Sequence, residues 1–385
     1  MSRTPSAQTP PTAGPSAHLR RFVTLAPSRI DHIPAFRIAV GLAIPLTVLL
    51  VTGHIQWAMF AGFGAFTGIY SRYEPTSVRF RRQSLIGALL TACVGAGAAL
   101  AQLGEHIPEV ASSWLALVAA ALVAGGAAVL VTVRGIKPGG AVFPLFAIAA
   151  VAAAPPAAPV WVAMAVAGAS AAGCVALGLL GHWAGERHPA EGFRSATETF
   201  TAGQLWAEFG RYAGAALVAG VLGLASGLPY PYWAQIAAVV PLSAPGRTAQ
   251  VERGMHRVVG STLGIVTTAF LLSFPALDWQ LVVWVVILQF LAELYVLRNY
   301  SLALLFITPL ALLMVQLANP QPAGPMLQAR VLETAIGVVV GVAFVVASAV
   351  WDRRMSARRA AAGSTVVDGA GAGGAGAGGA AGSSD

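Results

Sequence analysis

Apolar residues in this chain come in twelve long stretches, at 38–52, 56–71, 84–103, 114–133, 140–154, 160–181, 212–228, 231–246, 258–274, 279–297, 301–318 and 331–350. Each is about long enough to cross ~30 Å of hydrocarbon as a helix. The connections between them alternate in kind. Odd-numbered ones are short and polar or proline-rich: Thr52–His54, Gln102–Ser113, Pro155–Pro159, Ser226–Pro231, Pro275–Asp278 and Ala318–Pro325. Even-numbered ones are basic, as in Arg72–Arg82 and Arg247–Arg257. Of the 23 lysines and arginines, all but Arg330 fall in even-numbered connections or in the tails. Basic residues beside a span resist translocation and collect on the cytoplasmic side, whereas a soluble fold has no reason to sort arginines by loop parity. The pattern predicts an all-α integral membrane protein of about twelve transmembrane helices, embedded in a lipid bilayer with both termini cytoplasmic. Trp57, Trp114, Trp161, Tyr230, Trp233 and Trp279 stand at span ends, as interfacial aromatics do.

Composition supports this reading: 57% hydrophobic, 10% charged, mean hydropathy +0.72, against roughly 25% charged residues in a soluble domain. The net charge of +8 sits at helix ends and forms no solvated stripe, so no nucleic-acid partner is expected. Cys93 and Cys174 lie inside apolar runs and read as packing residues. Lys137, the single lysine, stands in Arg134-Gly-Ile-Lys-Pro-Gly-Gly, which is no phosphate loop. The histidines have no ligand spacing, and hydrolase and redox motifs are missing. No enzyme activity, cofactor or metal is expected. Residues 1–33 and the Gly/Ala-rich stretch 353–385 read as disordered tails. A linker at 184–210 divides the chain into units at 34–183 and 211–352.

The second unit repeats the first. Trp57 to Arg82 matches Trp233 to Arg257, Trp114 to Arg134 matches Trp279 to Arg298, and the ends of spans six and twelve place Gly173 on Gly341. Six spans is an even number, so two such repeats are parallel, and in transporters their interface is the usual place for a solute path. The segment Arg257-Val-Val-Gly-Ser-Thr-Leu-Gly264 resembles the R-x-x-G-T-x-x-G signature of the fusaric acid resistance-like proteins, also called aromatic acid exporters, with Ser261 in place of Thr. Asn299-Tyr-Ser-Leu-Ala-Leu-Leu-Phe-Ile-Thr-Pro309 and Ala329-Arg-Val-Leu-Glu-Thr-Ala-Ile-Gly337 look like that family's two later blocks. The first half departs from these motifs. The resemblance implies an integral membrane transporter of organic anions or aromatic acids.

Ionisable groups within spans normally mark a pathway or a buried pair. Arg330, Glu333 and Glu293 stand where the first repeat has Val162, Ala165, and Ala128 or Val129. Arg330 and Glu333 share a helix face and read either as a local ion pair near the headgroups or as an anion-attracting mouth. Glu293 reads either as an interhelical partner of Arg257 or Arg211 or as a proton-responsive carboxylate. Gln235, Gln289 and Gln316 are helix–helix amides or solute contacts. Thr308 and Pro309 interrupt a span and are cavity candidates, and Arg257 joins the path candidates. Arg82, Arg247 and Arg253 are orientation signals or a cytoplasmic vestibule. The expectation is secondary export of small aromatic or amphipathic organic anions from a bacterial plasma membrane, with proton coupling and homo-oligomerisation open. An anion-selective channel or uniporter and a non-transporting scaffold are the alternatives.

Overall fold

The computed structural model describes residues 31–183 and 199–372. Among these residues the regular structure is helical. The helices run α1 His32–Val51, α2 Ala58–Ala65, α3 Thr76–Gly104, α4 Glu109–Val133, α5 Val142–Ala152, α6 Val160–Trp183, α7 Ala202–Ala225, α8 Tyr232–Leu242, α9 Arg247–Leu272, α10 Asp278–Tyr295, α11 Tyr300–Ala318 and α12 Ala323–Ala372. Tighter 3-10 turns at Ile55–Trp57 and Phe66–Ile69 flank α2.

Eight of these are long and apolar enough to cross a membrane: α1, α3, α4, α6, α9, α10, α11, and α12 as far as Val350. Of the other four, α7 is long but falls outside the apolar set, and at three places the expected span is a shorter helix. With its flanking turns α2 covers Ile55–Ile69, and α5 and α8 have 11 residues each, only ~16 Å of helix. Their ends unwind at glycines and prolines: Gly140 takes a φ of 84° just before α5, and Pro231 precedes α8. Hydropathy does not distinguish an apolar helix from an apolar unwound segment. Non-helical backbone at membrane depth is tolerated where protein encloses it, and every residue of α2 and α8 is buried. Helix α7 starts earlier than the apolar stretch it contains, because Thr201 and Gln204 form a capping box at its N-terminus. Helix α12 continues past Val350 into the region expected to be a tail. Its Arg- and Ala-rich sequence there favours propagation of a helix that is already formed. The expected tail at 1–30, linker residues 184–198 and the last part of the expected C-terminal tail, 373–385, lie outside the described residues.

Pairings among the first six helices recur among the last six. Helix α6 packs on α1, α2 and α3, as α12 packs on α7, α8 and α9. Helix α5 packs on α3 and α4, as α11 packs on α9 and α10. Contacts between halves are reciprocal too: α4 meets α7 as α10 meets α1, and α5 meets α8 as α11 meets α2. Short helices α2, α5 and α8, with α11, therefore meet at the centre.

One polar device occurs in both halves. Gln83 on α3 donates to the carbonyls of Gly68 and Tyr70 at the end of the α2 segment, at 3.4 and 2.9 Å. Gln250 on α9 donates to the carbonyls of Leu242 and Ala244 at the end of α8, at 3.3 and 3.2 Å. Each amide satisfies carbonyls that a terminating helix leaves open. The two clamps fix a register in which Arg257 lies opposite Leu90, not Arg82. Spacing from the tryptophans had aligned the two arginines, but α2 and α8 end differently relative to their tryptophans.

Candidate functional site

At the arginine-rich end of the bundle, Glu293 of α10 finds a partner that neither sequence reading named. Arg72, in the connection after α2, reaches the Glu293 carboxylate at 3.0 Å and its backbone carbonyl at 3.0 Å. Gln289, one turn earlier, donates to the same carboxylate at 3.1 Å. Both charged side chains are 7% exposed. Arg257 and Arg211, the expected partners, are engaged elsewhere. Arg211 pairs with Glu208 at 3.3 Å on its own helix. Arg82 pairs with Glu74 in the connection preceding α3, Arg79 donates to the Gly178 carbonyl, and Arg247 is exposed. Arg253 is half-buried with its guanidinium 4.3 Å from the Tyr300 ring centroid. Of the three vestibule candidates, Arg82 is thus tied into local structure.

The second half also encloses charge. Arg257 is placed by the sequence at a loop edge, yet α9 begins at Arg247, so Arg257 lies well inside the helix and is 4% exposed. An amphipathic helix start and a basic loop look alike to hydropathy. One Arg257 nitrogen donates to the Tyr300 hydroxyl at 3.4 Å, and Asn299 fixes Tyr300 by capping α11 through the Leu302 amide at 3.0 Å. Arg330 is 1% exposed and stacks 3.8 Å from the Trp233 ring centroid, a cation–π contact. Glu333 accepts from the backbone N–H of Tyr230 at 3.1 Å. It thereby caps the N-terminus of α8, where a carboxylate is favoured. Burial and the facing Glu333 carboxylate push the pKa of the Tyr230 phenol, in the loop before α8, above its ordinary value. The expected headgroup ion pair of Arg330 with Glu333 is replaced by these two separate attachments to α8, because Arg330 is enclosed by the bundle.

The remaining candidates divide. Gln235 donates to the Leu117 carbonyl of α4 at 3.1 Å, joining the halves. The Gln316 side chain accepts from the Gln321 amide at 3.1 Å. Thr308 is fully buried, and its hydroxyl has no hydrogen-bond partner among the described residues. Pro309 lies beside it inside α11, also buried. Cys93 and Cys174 are buried and free.

Sequence reading missed the aromatic seam between the halves. Phe63 lies 5.0 Å from Phe146 and 5.9 Å from Phe66, and Phe146 lies 5.0 Å from Trp233, centroid to centroid. Phenylalanines in apolar spans carry no distinguishing signal until the helices are assembled. A cavity of about 20 Å³ lies along this seam, lined by Phe63, Phe66, Phe146, Met59, Gly62 and Met314 among others. A second, of about 10 Å³, shares Met59 and reaches Pro155 and Ala158 at the opposite end. Such volumes hold about one water each, so the seam is closed, with the Met314 methyl seated against Gly62.

Residues 215–344 match the family described as fusaric acid resistance protein-like. The second half of the chain resembles that family. All three motif blocks lie within the matched stretch, as do Arg257, Glu293, Thr308, Arg330 and Glu333. The chain is also 27% identical over 124 residues to the uncharacterized membrane protein YvaC of Bacillus subtilis (strain 168). That alignment covers 32% of this chain and 20% of YvaC. No solved structure matches. With its apolar helices, the chain is a multi-pass membrane protein.

Proposed function

We propose that the protein is a secondary transporter exporting small aromatic or amphipathic organic anions from a bacterium, with its arginine-rich end in the cytoplasm. The observation that carries this reading is Arg330, buried against Trp233, whose ring adjoins Phe146 and the aromatic seam between the halves. A cation beside a wall of rings suits an aromatic carboxylate, its charge on the guanidinium and its ring among Phe63, Phe66 and Phe146. Support also comes from the family-like stretch, which contains Arg330. Counterflow of labelled aromatic carboxylates in proteoliposomes tests the reading. Arg330→Gln, which retains donors without charge, is expected to lower flux at least tenfold, and unchanged flux in the folded variant overturns the assignment. Current saturating as in a pore, indifferent to an imposed pH gradient, points to a channel instead. Absence of flux while partners co-purify points to a scaffold.

Proton coupling is assigned in this reading to Glu293. Neutralising it weakens the link to Arg72, and with it the tie between the halves at that end. Glu293→Gln is expected to flatten the pH profile of transport while retaining an acceptor for Gln289 and Arg72. An unaltered profile removes Glu293 from the coupling.

A further inference from the structure

The buried charges around Arg257 and Arg330 do not balance, because Glu293, the other buried carboxylate of the second half, is taken by Arg72. Arg257 and Arg330 are both buried, and Arg330 lies within electrostatic reach of Arg257 and Tyr300. Among the described residues, Glu333 is the buried carboxylate on the Arg330 face of α12, and it caps α8. Arg253 lies over the Tyr300 ring but is only half-buried, so solvent screens part of its charge. Two enclosed cations against one enclosed anion leave a single positive charge. A buried charge without a counter-charge is strongly unfavourable.

The polar atoms around this charge are open as well. Arg257 Nε, Arg330 Nε and Nη1, and the hydroxyls of Ser261, Thr308 and Thr334 have no hydrogen-bond partner among the described residues. Buried polar groups are ordinarily satisfied, so a cluster of exceptions calls for an explanation such as an ion. These groups share helix faces. Ser261 stands one turn beyond Arg257 on α9, and Thr334 one turn beyond Arg330 on α12. Close packing at Gly264, where an added Cβ would lie 3.1 Å from the Thr308 hydroxyl, brings Thr308 of α11 to the Ser261 face. Glu333 Oε2 is open as well and can accept from one hydroxyl, but every unsatisfied nitrogen is a donor and each hydroxyl can donate, so donors outnumber it.

We propose that this cluster, centred on Arg257 with Arg330, Ser261, Thr308 and Thr334, is a buried binding site for one monovalent anionic group, a halide ion or a carboxylate. It deepens the exporter reading, because a carboxylate here would be the head group of the transported solute. In the register of the two glutamine clamps, Leu90 of α3 stands where Arg257 does.

The test is thermal unfolding of the purified full chain in detergent, titrating sodium chloride or sodium benzoate at an ionic strength held constant with lactobionate, which is too bulky to enter. A ligand that binds the folded state raises the melting temperature with saturation, and the wild type is expected to show this. Arg257→Leu copies the first half and removes the unbalanced charge, so it is expected to melt at or above the anion-free wild type and to lose the response. A purely structural arginine predicts the reverse, a variant that melts earlier. Thr308→Val, a mild change, is expected to weaken the apparent anion affinity several-fold. Benzoate competing with chloride identifies the carboxylate as occupant, and stabilisation by chloride alone identifies a resident halide. A wild type indifferent to both anions, or a response retained in Arg257→Leu, overturns the site. Anion-dependent melting without flux sinks the exporter reading and leaves the site standing, whereas flux without it does the opposite.

Discussion

Replacing Arg72 with alanine is expected to cost about 3–5 kcal/mol of stability, the usual penalty for breaking one side of a buried ion pair. The pair is 93% enclosed on both sides by the 7% exposures of Arg72 and Glu293, so removing the guanidinium strands a carboxylate that keeps only Gln289 as a partner. Glu293→Ala should cost a similar amount by stranding Arg72. The double variant Arg72→Leu/Glu293→Leu should recover most of the loss, since apolar residues of similar volume often replace a buried pair at little cost. Unfolding in detergent of the wild type, Arg72→Leu, Glu293→Leu and the double variant forms a double-mutant cycle. Additive single effects would show that the pair does not tie the halves. The expected coupling is large because Arg72 belongs to the first half and Glu293 to the second, and the contact closes the seam at the arginine-rich end.

The sequence made the class of molecule plain and part of the site with it. Arginines sorted by connection marked the membrane, and isolated charges in apolar runs marked Arg330, Glu333 and Glu293. All three proved to be buried, as the cost of an ionisable group in a span requires. Their partners were not legible, for different physical reasons. Glu293 pairs with a residue 221 positions away, and no local periodicity carries such a distance. Arg330 and Glu333 satisfy the three-residue spacing of a local pair, yet each attaches to the start of α8, which hydropathy reads as an ordinary full-length span. The shortening of α2, α5 and α8 was hidden because their unwound ends are as apolar as their helices. The sequence puts Arg257 at a loop edge, where a path role and an orientation signal read alike. Gln83 and Gln250 correct that by fixing the register of α3 on α2 and of α9 on α8, which leaves Arg257 as an enclosed charge of the second half alone. A polar residue that clamps backbone carbonyls looks in sequence like any other amide at a helix start.

Gly337→Ala and Gly341→Ala are expected to destabilise the protein by about 1–3 kcal/mol each, the range for overpacking a filled interior, and to reduce transport as well. At Gly337 the added methyl would fall on the Ala234 carbonyl oxygen and lie 2.6 Å from the Ala237 Cβ, and at Gly341 it would fall on the Ala238 carbonyl oxygen. The two carbonyl oxygens are backbone atoms of α8, which cannot move aside as a flexible side chain does. Relief therefore requires α12 to shift away from α8 as a body. Such a shift draws Arg330 off the Trp233 ring and Glu333 off the Tyr230 amide, so the functional loss should appear even at temperatures where the variants remain folded. Gly173→Ala in α6 is the matched control, since sequence spacing aligns Gly173 with Gly341. Its Cβ would meet nothing within 4 Å, and alanine is the better helix former by roughly 1 kcal/mol. The two substitutions should thus move the melting temperature in opposite directions. Equal effects at Gly173 and Gly341 would mean that backbone contact between α8 and α12 does not hold Arg330 in place.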